Sequence, residues 1–88
     1  MPLISHFYGI LIHIYQESGG KHHKPHFHAK YAEHSAVYDL EGNVLSGKLP
    51  LKQHKIVDAW VAIHQDEIAA AWVAWHESGV VVKITGLF

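Results

Sequence analysis

The 88-residue chain has no cysteine and no arginine. Without cysteine there are no disulfides, no thiolate metal sites, no cysteine nucleophile and no thioether attachment of haem. That is compatible with a reducing cytoplasm. Without arginine, the bidentate contacts that read guanine and grip phosphate are missing, and lysine offers only point charges. The formal net charge of −1 adds no general attraction for polyanions, so composition disfavours a nucleic-acid partner. No apolar run approaches the roughly 18–20 residues of a membrane span, and the N-terminus shows no charged leader with a cleavage site. The expected location is therefore cytoplasmic, with no membrane contact. Also missing are a nucleophile elbow, a glycine-rich phosphate loop and a paired-carboxylate motif, which sets aside triad hydrolases and nucleotide-triphosphate chemistry.

Histidine is abundant instead. There are ten, and the seven basic residues are all lysine. Histidine alone gains charge between about pH 5 and 8, so the charge of this chain is unusually soft. Apolar residues make up 49% of the sequence and charged residues 17%, which suits a globular chain and not a disordered one. At this length the expectation is one domain, 1–88, with a thin core. A domain so small buries only roughly 60–65% of its unfolded surface, and a partner chain or bound metal would add cover.

Periodicity divides the chain into a strand-rich half and a helical half. Residues 4–15 read as one strand, with Ile4, Tyr8, Ile10, Ile12 and Ile14 on an apolar face and a bulge at Gly9. A polar loop leads to Pro25, which presets an extended entry into strand 26–31. Residues 36–40 form the next strand, closed by the turn Glu41-Gly42-Asn43, and Val44-Leu45 begins another. From Pro50 to about Glu77 the period changes to that of a helix, with Val57, Trp60, Val61, His64, Ile68, Ala71, Trp72 and Trp75 on one stripe. One helix is expected, a break near Gln65 being the alternative. Residues 80–85 return as a strand. The predicted fold is α+β: an antiparallel sheet of three to five strands with one long helix packed on one face.

The sharpest local motif is Pro25-His26-Phe27-His28-Ala29. In a strand, residues i and i+2 share a face, so both imidazoles project from one surface. Neutral imidazole binds divalent transition metals such as zinc or nickel. His26 and His28 are thus candidate metal ligands, with His22, His23, His64 and Glu67 as additions. His26, His28 and His64 are also the candidate catalytic residues. Two imidazoles of opposite protonation provide a general base and a general acid, with Lys30 or Lys52 steadying phosphate charge. His64 and Glu67 lie one helical turn apart, a spacing that orients a histidine on a carboxylate. Lys48, Lys52 and Lys55 crowd the helix entrance, where positive charge opposes the macrodipole. Trp72 and Trp75 are the candidate partner surface, tryptophan being enriched at binding hot spots.

The order of these motifs resembles a small bacterial family, domain of unknown function 4160. The likeness rests on Met1-Pro2, Ile4-Ser5-x-Phe7-x-Gly9-Ile10, Pro25-His26-Phe27-His28-Ala29, Gly47-x-Leu49-Pro50, Trp60, His64, Glu67 and Trp72. Lys24 departs from it by replacing a proline that usually precedes the His-Phe-His run, and His6 and His13 stand where arginine is common. The resemblance implies a stand-alone cytoplasmic protein whose gene neighbours another short one, sometimes classed with toxin–antitoxin pairs. It implies no activity, cofactor or catalytic residue. The leading expectation is therefore an interaction module that acts by binding a partner protein, either a second copy or the neighbouring gene's product. The alternative is a histidine-dependent RNA-cleaving or metal-dependent hydrolytic enzyme centred on the His26–His28 strand.

Overall fold

The computed structural model describes residues 3–14 and 25–86. Five strands run as one antiparallel meander in sequence order: β1 (Leu3–Phe7), β2 (Ile10–His13), β3 (His26–Tyr31), β4 (His34–Asp39) and β5 (Val44–Lys48). One helix, α1 (Leu51–Ser78), follows. This is the expected α+β arrangement.

The single strand expected over 4–15 is a hairpin instead. Tyr8 (φ 49) and Gly9 (φ 78) make a two-residue turn, and Phe7 faces Ile10 across it. Positive φ at both central positions is the mark of a type I′ turn, whose twist matches that of its strands. Glycine in the second position signals this turn, and tyrosine in the first conceals it. The reversal keeps Phe7, Ile10, Ile12 and Ile14 on the buried side and leaves Tyr8 exposed at the tip, outside the core expected for it. The pairing slips between Leu3 and Ser5, so Ile4 is an extra residue, and both Ile4 and Ser5 turn inward. Tyr15, expected in the same strand, lies outside the described residues.

Alternation does the rest. Phe27, Ala29, Ala36 and Tyr38 join the isoleucines under α1, which buries Val57, Trp60, Val61, Ile68 and Ala71 against them. Trp60 sits between Phe7 and Phe27, with ring centroids 5.3 and 5.7 Å away. At its C-terminal end α1 stops on Gly79 (φ 66), where the amides of Gly79 and Val80 bond the carbonyls of Trp75 and Ala74. The helix is continuous but kinked at His64 (φ −115, ψ 24), one residue before the break considered from the sequence.

The last expected strand, 80–85, does not form. The Ile84 amide donates to the Ile4 carbonyl at 2.7 Å, and no ladder follows. The bulge at Ile4 interrupts the even spacing that a ladder on this edge needs. The segment is held instead by the Trp60 indole, whose Nε1–H donates to the Thr85 carbonyl at 3.0 Å. Among the described residues, no helix is long and apolar enough to cross a membrane.

Candidate functional site

The helix covers one face of the sheet. On the other, strand register builds two rows of side chains. His6, Leu11, Lys30, Ser35 and Lys48 are successive partners across all five strands, and Leu3, His13, His28, Val37 and Ser46 make the next row. Neither row contains a carboxylate. One pair further on, His26 stands opposite Asp39.

His26 and His28 share this side, as their spacing predicts, with ring centroids 5.3 Å apart and edge to face. His26 is buried and His28 half-buried. Past the kink, α1 brings Trp72 to 5.3 Å from the His26 ring, and His76 stacks on Trp72 at 3.6 Å while its Nδ1–H donates to the Trp72 carbonyl. The result is a run of rings, His28, His26, Trp72 and His76, with His13 opposite His28 on the neighbouring strand. Reading the sequence missed His13 and His76. Recognising the type I′ turn would have placed His13, and the i, i+4 relation to Trp72 would have placed His76.

His64 has a different setting. Its Nδ1–H donates to Glu67 Oε1 at 2.6 Å, and its ring lies 6.0 Å from Trp60. Among the described residues, no three His, Asp or Glu side chains group as a metal ion requires. His22 and His23, the other expected ligands, lie outside the described residues. Trp72 and Trp75, expected at a partner surface, are half-buried against the core, and Trp75 Nε1 is buried without a hydrogen-bond partner.

The two sheet edges differ. Residues 83–86 lie along β1, whereas β5 pairs with β4 alone. Beside β5 lies an open groove of about 390 Å³ lined by Val44, Gly47, Lys48, Leu49, Leu51 and His54. Val44 and Leu51 are 45% and 67% exposed there, so the groove offers apolar surface to a partner. Behind the groove, His54 is tied to the core. Tyr38 Oη and His54 Nδ1 are hydrogen-bonded at 3.0 Å, and their rings stack at 5.7 Å. Burial, followed by the nearby Asp58 carboxylate, pushes the Tyr38 hydroxyl up from 10.0 to about 12. At the end of β4, Asp39 Oδ1 accepts the amides of Glu41 and Asn43 and Oδ2 accepts Asn43 Nδ2, which fixes the turn into β5.

No curated protein and no solved structure matches the chain. A family profile, described as domain of unknown function (DUF4160), matches residues 9–73. That span takes in the hairpin glycine, the histidine strand, the β5 edge and the helix through Trp72, and by it the chain belongs to the DUF4160 family.

Proposed function

We propose that this protein is a small interaction module that receives an extended segment of a partner protein along β5. The observation that carries the reading is the β5 edge, unpaired among the described residues and flanked by the apolar groove of Val44, Leu49 and Leu51. Strand addition supplies affinity through main-chain hydrogen bonds, and an adjoining pocket supplies specificity through one side chain. The chemistry of the lining defines the guest: a large apolar side chain for the groove, with a carboxylate near Lys48. Leu45 is bulged between the Ser46 and Val44 pairs, Gly47 has φ 71, and Lys48 ends the strand. Bulges and lysines are devices by which edges resist flat self-pairing. They favour a matched guest over a second copy. The neighbouring gene's product is the first partner to test, in keeping with a toxin–antitoxin-like pair.

The test is co-expression with that product, followed by amide hydrogen exchange. The expected result is a stable complex in which the amides of 44–48 gain protection, and which Val44→Asp or Leu51→Asp dissociates. No complex, or protection confined to other strands, overturns the reading.

A second reading is favoured by one observation, the register that sets His13 opposite His28 with Lys30 two residues along the same face. This arrangement supports RNA transesterification. One imidazole takes the proton of a 2′-hydroxyl, whose oxygen attacks the adjacent phosphorus, and the other imidazolium protonates the departing 5′-oxygen. The products are a 2′,3′-cyclic phosphate and a free 5′-hydroxyl. A bell-shaped pH–rate profile abolished in His13→Ala and His28→Ala is the expected result. Absence of cleavage throughout pH 5–8 removes this reading.

A further inference from the structure

The side of α1 that faces away from the sheet is apolar in its middle and charged at its ends. At the helical period, Lys55, Ala59, Ala62, Ile63, Asp66 and Ala70 fall within one stripe about 100° wide, and every one of them is exposed. Ile63 is 63% exposed, and Val73, further along the same side, is 48% exposed. A helix that meets only solvent carries polar residues on its outer face. Here the middle of that face is an isoleucine set among alanines, with a lysine before it and an aspartate after it.

The charges decide what fits this face. Lys55 and Asp66 lie equally far from the point midway between Ala59 and Ala62, roughly 8 Å to either side along the axis. A two-fold interface requires such spacing, since residue i of each copy must meet residue j of the other. Turned antiparallel about that point, a second copy sets its Asp66 beside Lys55 and its Lys55 beside Asp66. Ala59 then lies against the partner's Ala62, so the helix axes approach to about 8 Å, and Ile63 packs over the partner's Ala59. A parallel pairing would put lysine on lysine and aspartate on aspartate. An antiparallel pairing centred on Asp66 would bring both Asp66 carboxylates together and run across the kink at His64.

We propose that two copies of this chain associate through this face of α1, antiparallel, with Lys55 and Asp66 paired across the two-fold axis. The apolar centre around Ile63 supplies the buried area, and the two charge pairs fix the direction and register. The contact lies on the far side of the helix from the sheet, so both sheets face outward. Each β5 edge stays open, and this pairing is compatible with strand addition there.

The experiment is sedimentation equilibrium of the full chain from micromolar to millimolar concentration at low salt, with three variants. The unaltered protein is expected to show a monomer–dimer equilibrium that weakens as salt is added. Ile63→Asp is expected to be monomeric throughout, with the melting temperature of the dilute protein unchanged because the side chain is exposed. Lys55→Glu and Asp66→Lys should each weaken self-association about tenfold, since each sets like charges together twice. An equimolar mixture of those two variants should associate more tightly than either alone, because every pair then joins opposite charges. Monomer at every concentration up to about 1 mM overturns the proposal, as does a mixture no tighter than its components. A dimer that survives Ile63→Asp but is dissolved by Val44→Asp lies at the β5 edge and overturns it too. Ile63→Asp is expected to leave the neighbouring product's protection of 44–48 unchanged, so failure at the helix and failure at β5 are separable.

Discussion

Replacing Trp60 tests the packing and the seating of the C-terminal segment together. The indole is fully buried between Phe7 and Phe27, and its N–H holds the Thr85 carbonyl. Trp60→Phe keeps an apolar ring but gives up the hydrogen bond, a net loss of about 1 kcal/mol. The smaller ring also leaves a void of about 40 Å³, which at about 24 cal/mol per Å³ costs about 1 kcal/mol more. The sum, about 2 kcal/mol, corresponds to a fall in melting temperature of roughly 8–16 °C for a domain of this size. Trp60→Ala removes the whole contact and should cost about 3–5 kcal/mol, a large share of a small domain's stability. The assay is chemical denaturation combined with amide exchange at Ile84. The hydrogen bond from Ile84 to Ile4 depends on the clamp at Thr85 next to it, so Trp60→Phe should accelerate exchange at Ile84 beyond the global loss. If Ile84 follows global unfolding in both proteins, Trp60 does not anchor the C-terminal segment, and this reasoning is wrong.

Three further outcomes follow from single sites. Gly47→Ala places a Cβ 2.4 Å from the Ser35 carbonyl oxygen at φ 71, so backbone must move, and a stability loss of about 2 kcal/mol or more is expected in urea titrations. Asp39→Ala strands the amides of Glu41 and Asn43 and should cost about 1–3 kcal/mol by the same measurement, with β5 amides exchanging faster. For Tyr38 the folded hydroxyl keeps its proton up to about 12 while the unfolded one loses it near 10.0. Its contribution is therefore intact below pH 10 and is lost as pH rises towards 12, at no more than about 1.4 kcal/mol per pH unit. Subtracting the alkaline profile of Tyr38→Phe from that of the unaltered protein should isolate this decline, and parallel profiles would refute it.

Much of the fold is legible because two periods alternate so plainly. The switch from alternation before Pro50 to the Trp60–Ala71 stripe after it places the sheet and the helix on opposite sides of one core. What escapes the sequence is where the chain reverses without a strong turn signal. Tyr8-Gly9 lacks the usual asparagine or aspartate, so a hairpin reads as one strand, and the partner of every residue from 3 to 14 is misplaced with it. The His26–His28 pair was visible, since side-chain direction in a strand follows from spacing alone. His13 was not, because its neighbour depends on that turn. Ser5 escaped for a similar reason, as only a bulge turns it into the core. The C-terminal residues read as a strand from β-branched content, yet an edge already bulged at Ile4 accepts a single bond.

Net charge is a sum over the whole chain, and the register shows how unevenly that charge is laid out. A sum of −1 describes the potential far from the molecule, whereas a ligand meets the local field. On the helix, Asp58, Asp66, Glu67 and Glu77 are all exposed, with only Lys52 and Lys55 beside them. The exposed row of the sheet, His6, Leu11, Lys30, Ser35 and Lys48, carries two lysines, one histidine and no acid, while His13 and His28 in the next row are half-buried. The one carboxylate in register nearby, Asp39, is 2% exposed and tied into the β4–β5 turn. Opposite signs thus occupy opposite layers of a two-layer fold. An anionic ligand approaching the sheet should accordingly bind more weakly with added salt. An affinity that stays flat across a salt titration would mean that the exposed row takes no part in capturing such a ligand.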